Sequence, residues 1–317
     1  MTAVTNDDQK EQDVERSDIE KTIDQSFIWG TRILAIAVAA VLLWITVQVA
    51  TEAIPAIQAL GIEFLTQTTW DPVEDIYGIL PAIYGTLVSS LIAVLLALPV
   101  GLACAIVLSE NFLPISIRTP LTFLIELLAA IPSVVYGLWG IYVLIPFIEP
   151  LGNWLHDNFG WFPLFSTPFI GPGMLPAGII LSIMILPILT VIARDSLAAL
   201  PTNLRWGSYG IGATRWRTIF SVLIPAAFSG IVSGIMLALG RALGETMAVT
   251  LVIGNSNNLN FSILAPSVTI SSLLANQFAE ASGLQEDALF YAGLVLFAIT
   301  LIVNILAELI VLRVKKF

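Results

Sequence analysis

Residues 79–108 read ILPAIYGTLVSSLIAVLLALPVGLACAIVL and carry no charged side chain. A bilayer core of roughly 30 Å is crossed by about 20 apolar residues in helix. This stretch is longer than that, so it predicts a membrane-spanning segment. Helix is the state to expect, because in lipid each backbone N–H and C=O must be satisfied within the segment.

Working outward, similar apolar runs occupy 28–50, 121–147, 174–193, 219–253 and 289–312. Together the runs predict an all-α, polytopic membrane protein with six transmembrane helices. The run at 219–253 contains Arg241 and Glu245, and two shorter helices with a break between them are the alternative there. Composition agrees with the membrane reading. The chain is 57% hydrophobic and only 11% charged, with a mean hydropathy of +0.91. Soluble domains are typically about 25% charged, and one this apolar would expose large sticky patches. The net charge of −10 leaves no basic surface extensive enough to follow nucleic acid.

Orientation is read from the basic residues. Segments 51–78, 148–173 and 254–288 contain no Lys or Arg, whereas 1–32, 109–120, 194–218 and 313–317 hold all of them except Arg241. Basic residues near helix ends stay on the cytoplasmic side, so both termini are expected in the cytoplasm. Trp70, Trp154, Trp161 and Phe162 fall on the outer side, as an interfacial aromatic belt would. Residues 1–26 are rich in Asp and Glu and lack a packing pattern, so they read as a disordered cytoplasmic tail before a six-helix membrane domain at 27–317. An acidic start followed by a full-length apolar run does not resemble a signal peptide. The outer loops are too short for a core of their own.

Little in the chain supports chemistry of its own. Lys10, Lys21, Lys315 and Lys316 are the lysines, and none follows a glycine, so there is no phosphate-cradling Gly-Lys-Ser/Thr loop. His156 and Cys104 are each the sole residue of their kind. They make neither a zinc site nor a Cys–His pair. No catalytic residue, metal or cofactor is expected.

Two stretches stand out. The first is 194–218, RDSLAALPTNLRWGSYGIGATRWRT, with Arg194, Arg205, Arg215 and Arg217, glycines at 210 and 212, and Pro225 beyond it. It predicts a short helix, a glycine turn and a second helix at the cytoplasmic face, with Gly212 at positive φ. The plain alternative is a basic loop obeying the charge rule. The second is Arg241 and Glu245, four residues apart within an apolar run. On one helix they would share a face and pair. A charge at mid-bilayer costs somewhere between about 2.5 and 17 kcal/mol, so such a residue faces a bundle interior or a cavity. The pair is either a structural ion pair or an arginine that meets an anion while Glu245 holds it in place. Glu126 and Glu308 are weaker candidates of the same kind: Glu126 reaches water at the cytoplasmic end, and Glu308 pairs at the surface with Arg313 or Lys315. Gly230/Gly234 and Gly240/Gly244 are small-residue pairs suited to close helix approach.

The spacing Gly212-Ala213-Thr214-Arg215-Trp216, then Leu223-Ile224-Pro225, resembles the "EAA" coupling loop of bacterial binding-protein-dependent ABC importers. This chain has Trp206-Gly207-Ser208 where the family commonly has Glu-Ala-Ala. Residues 130–140, AIPSVVYGLWG, and 240–248, GRALGETMA, resemble the PstC-type permeases of the phosphate-importer branch. The resemblance implies a type I ABC-importer permease bundle. It implies docking of an ATPase subunit through Leu204, Arg205, Gly210, Gly212, Ala213, Arg215 and Trp216, and a phosphate path past Arg241 and Glu245. It further implies a second, related permease subunit, two ATP-binding subunits and an extracytoplasmic phosphate-binding protein. A sulfate or molybdate permease, a secondary anion transporter driven by an ion gradient, and a scaffold without flux stay as alternatives.

The charge pattern generates a test of orientation. In a Cys104→Ser background, single cysteines at positions 74, 157 and 286 should react with an impermeant thiol reagent on intact cells. Reaction only after the cytoplasmic face is opened would reverse the topology.

Overall fold

The computed structural model describes residues 18–110 and 112–314, with side chains for 22–110 and 112–313. Helix α1 spans Asp18–Leu60. Residues 18–26, expected in the tail, are therefore helical. The remainder of the expected tail, 1–17, lies outside the described residues. The chain divides at Thr51 into two compact units, and all that follows concerns the second, Glu52–Phe317.

After the short α2 (Glu63–Thr66) comes a two-stranded antiparallel hairpin, β1 (Trp70–Asp71) and β2 (Ile76–Tyr77), with Trp70 opposite Tyr77. Asp75 turns the hairpin at φ 55°, a conformation that Asp tolerates better than most residues. Helix α3 (Leu80–Ser109) matches the quoted run closely.

The third run is corrected. Instead of one helix over 121–147, there are α4 (Ile115–Ala130), α5 (Ser133–Trp139), a π-turn at Gly140–Leu144 and α6 (Ile145–Phe159). The cause is Pro132, which lacks an N–H and drives Ile131 into extended backbone (φ −69°, ψ 128°). The Tyr136 hydroxyl donates to the Leu128 carbonyl at 2.8 Å and so satisfies a group that the break orphans. The part long and apolar enough to cross a bilayer is Ser133–Phe159, some way along the chain from the expected span.

Helix α7 (Met174–Ala198) follows the fourth run. Beyond its C-terminal end lie α8 (Thr202–Gly210) and α9 (Arg215–Thr218). The fifth run is in pieces: a π-turn at Ile219–Leu223, α10 (Ile224–Ala226), α11 (Phe228–Gly244) and α12 (Met247–Val252). Arg215–Ala226 and Phe228–Gly244 meet at 69°. Pro225, which cannot donate into the ladder, sits just before that bend. Helix α13 (Ile270–Gln277) opens with a capping box of Thr269 and Ser272, and α14 (Leu284–Val314) closes the described chain. Among the described residues, five helices are long and apolar enough to span a membrane, or six if the bent pair counts as one span.

The core has three layers along α3 and α7. The middle layer holds Ala93 and Ala97 of α3, Leu181, Ile185 and Leu189 of α7, and Val249 and Val252 of α12. At one end, Phe64, Trp70, Tyr77, Ile79 and Leu289 pack together, with Phe64 stacked on Tyr291 at 4.5 Å and Trp70 donating to Gln277 Oε1 at 2.7 Å. At the other end, Ala105, Leu197, Ile219 and Leu223 form the third layer. Missing side chains set the close approaches. A Cβ at Gly101 would stand 2.5 Å from Leu189, and one at Gly178 would run into Ile92. Gly230 and Gly234 rest on Ser196 and Ile192 of α7, as the small-residue pattern suggested, but Gly240 and Gly244 face open space.

Gly178→Val should therefore force α3 and α7 apart and cost about 1–3 kcal/mol, the usual penalty for overpacking. Gly207→Ala, with nothing within 4 Å of its Cβ position, should stay within about 0.5 kcal/mol. Thermal unfolding of the purified protein in detergent compares the two, and equal stabilities would overturn the packing argument.

Candidate transport and coupling sites

Arg241 lies in the last turn of α11 and is exposed on the isolated chain. It opens on a cavity of about 720 Å³ between α7, α11 and α14, lined also by Ser233, Met236, Asn304 and Glu308. The expected pairing with Glu245 is not made. Helix α11 stops at Gly244, and Glu245 is extended (φ −69°, ψ 126°), so the two residues no longer share a helix face. The Glu245 carboxylate instead accepts from the Ala248 amide at 3.3 Å and helps satisfy the start of α12. Among the described residues no carboxylate forms an ion pair with Arg241. The open space beside Gly240 and Gly244 leaves the guanidinium uncrowded.

The weaker acids separate in the same way. Glu308 lines the Arg241 cavity, a neighbour that no sequence spacing indicates, since they lie on different helices. Glu126 is half-exposed and sits 3.6 Å from Arg194, which also holds Asp195 at 2.8 Å.

The segment 194–218 forms the expected helix, turn and helix. Gly212 has φ +83°. Its N–H donates to Tyr209 at 2.9 Å and the Ala213 N–H to Ser208 at 3.1 Å, the paired bonds of a glycine-terminated helix end. Thr214 then caps α9 through the Arg217 N–H, and the buried hydroxyls of Ser208 and Thr218 lie 2.9 Å apart, fastening α8 to α9. Trp206 and Ile211 are among the most exposed apolar side chains, at 70% and 87%. Leu204 and Gly210 are exposed beside them. Arg215 stacks over the Phe112 ring at 3.6 Å, and Trp216 packs between Phe112 and Phe220.

Arg205 departs from the expected outward role. Its Nη2 lies 2.8 Å and its Nε 3.1 Å from Glu110 Oε1, while Nη1 and Nη2 donate to the carbonyls of Leu200 and Leu197 at 3.1 and 2.9 Å. The side chains are 17% and 7% exposed. A guanidinium so occupied is held inside its own chain. Glu110 went unnoticed in the sequence, though it is the sole acid in the basic segment 109–120.

Gly212→Val would place a β-branched residue in left-handed backbone, a strained conformation costing about 1–3 kcal/mol. The turn should open, and ATP hydrolysis by an assembled complex should lose its dependence on substrate. Normal coupled transport in that variant would remove the turn from the mechanism.

Three comparisons bear on this geometry. Residues 97–316 match the family model described as binding-protein-dependent transport system inner membrane component. A phosphate transport system permease protein PstC of Xylella fastidiosa is 44% identical over 266 residues, 82% of each chain. A probable phosphate transport system permease protein PstC of Methanocaldococcus jannaschii is 40% identical over 80% of this chain and 83% of its own. Among solved structures, an inward-facing MetNI methionine ABC transporter aligns with a TM-score of 0.55 at 14% identity, over 78% of this chain and 99% of that one. A bacterial ABC transporter involved in alginate import aligns with a TM-score of 0.52 at 16% identity, over 93% and 98%. The structural likenesses speak to fold alone, and they agree with the helical bundle described above. On the sequence matches, this multi-pass membrane chain belongs to the inner membrane components of binding-protein-dependent transport systems.

Proposed function

We propose that the chain is a permease subunit of an ATP-driven importer and passes inorganic phosphate across the cytoplasmic membrane. The observation that carries the reading is Arg241, an intramembrane guanidinium on an open cavity with no carboxylate paired to it among the described residues. An uncompensated charge at that depth is costly and marks a path for something of opposite sign. Arginine suits a tetrahedral oxyanion because its planar fork donates at two points. The relatives named for phosphate transport supply the substrate class. Ser233 and Asn304 add neutral polar groups to the cavity wall, and Glu308 competes with the anion for the arginine, which discourages permanent capture. Glu245 contributes by ending α11 just beyond Arg241, so the arginine stands at a helix terminus instead of inside a closed ladder.

The coupling half of the reading rests on α8, the Gly212 turn and α9. Leu204, Gly210, Gly212, Ala213, Arg215 and Trp216, with the exposed Trp206 and Ile211, form the face offered to an ATP-binding subunit. Lacking the family's glutamate, this face docks mainly through apolar and aromatic contact. The complete importer would hold a second, related permease, two ATP-binding subunits and an extracytoplasmic phosphate-binding protein. Both termini lie in the cytoplasm.

Because Arg241 has no partner to strand, Arg241→Gln should assemble as the wild type does. Phosphate uptake should fall about ten- to a hundredfold, the scale of charge-assisted hydrogen bonds lost from the path. Arg241→Lys should also be poor, since a point charge lacks the fork. Complex yield measured beside radiolabelled phosphate uptake decides the matter, and uptake near wild type in assembled Arg241→Gln would sink the anion-path role.

A further inference from the structure

The Arg205–Glu110 pair joins three elements. Arg205 belongs to α8, Glu110 is the residue at the C-terminal end of α3, and the two carbonyls that Arg205 also engages, Leu197 and Leu200, lie at the C-terminal end of α7. A cation there meets the partial negative charge of the α7 terminus. The carboxylate is nearly buried, and the guanidinium fills its donors with Glu110 and the carbonyls. A long arginine fixed at several points in a fork geometry is stiff compared with a surface ion pair, which is loose and weak.

The other attachments of α8 are of a different kind. Ser208 ties it to Thr218 of α9, which leads into a π-turn and then the 69° bend before α11. That route contains a hinge. The route through Arg205 does not, because α3 and α7 pack directly against each other at Gly101 and Gly178. A displacement of α8 is therefore delivered to the α3–α7 pair without passing through that bend, and α11 meets α7 separately, at Gly230 and Gly234.

We propose that the Arg205–Glu110 pair is the strut through which the coupling segment moves α3 and α7, with Arg205 acting as a positioning residue inside the chain and not as a contact to the ATP-binding subunit. The inference rests on the importer reading above. Motion of α7 reaches the Arg241 cavity directly, because Ile188 of α7 lines it together with Ser233 and Met236 of α11 and Asn304 and Glu308 of α14.

The test is the number of phosphates imported per ATP hydrolysed by the complete complex in proteoliposomes. Three variants are compared with wild type: Glu110→Gln, Arg205→Lys, and the double change Glu110→Met with Arg205→Met, which removes both charges without stranding one. The expected result is assembled complexes that still hydrolyse ATP, with the ratio reduced about fivefold or more in Glu110→Gln and the double variant, a modest coupling between sites. Arg205→Lys should fall between these and wild type, since it keeps the charge and loses the fork. A wild-type ratio in either assembled charge-loss variant overturns the strut. So does a parallel fall of uptake and hydrolysis with the ratio unchanged, or failure of both to assemble, which would make the pair a plain structural contact. The wild-type complex separates the two readings: no phosphate uptake there sinks the importer function, whereas normal uptake there with unchanged ratios in the variants sinks the strut alone.

Discussion

The constraint on which this structure turns is that backbone groups inside a bilayer have no water to bond. A helix satisfies them internally, so every interruption needs a local substitute. The second unit contains interruptions at Ile131–Pro132, at Ala227 and at Glu245–Thr246, and the first and last are visibly repaired. Tyr136 reaches back to the Leu128 carbonyl, and Glu245 takes up an amide of α12. These breaks are not scattered. Helices α5 and α12, each following a break, pack against one another with Gly137 close to Ala248 and Leu251. The long continuous helices α3 and α7 form the frame, and the broken ones lie around it.

Charge placement follows from the same medium. The ion pairs named above lie near helix ends, where Arg194 meets Glu126 and Asp195 and Arg205 meets Glu110. There the desolvation cost is shared with helix termini and water. Arg241 is the exception, in the last turn of an apolar helix and without a carboxylate paired to it among the described residues. An arginine cannot shed its proton to escape that cost. Its position at the end of α11 on an open cavity is the physical compromise: the charge keeps access to polar surroundings while remaining inside the membrane region.

Much of the candidate coupling segment was legible locally. Gly212 at positive φ follows from a helix that must end within a short connection. The direction of Arg205 was not legible. Its neighbour Glu110 is far away in sequence, and a basic residue in a cytoplasmic loop looks the same whether it faces a partner or its own bundle. The Arg241–Glu245 spacing misled for a related reason. Four residues imply a shared face only while the helix continues, and Gly244 followed by a capping carboxylate ended it.

The sequence by itself determined the class of protein and the approximate spans, and it carries the expectation for the sidedness of the loops. These depend on sums over many residues, of apolar length against bilayer thickness and of basic residues against the membrane's two faces. Such sums survive errors at single positions. Only the tertiary structure decided where the helices break, which glycines meet a neighbour, and which charges find partners. Those outcomes depend on a few atoms from distant parts of the chain arriving at the same place. Pro132 marks a break in sequence, but the rescue by Tyr136, the shared cavity of Arg241 and Glu308, and the inward turn of Arg205 exist only once α3, α7, α11 and α14 are packed.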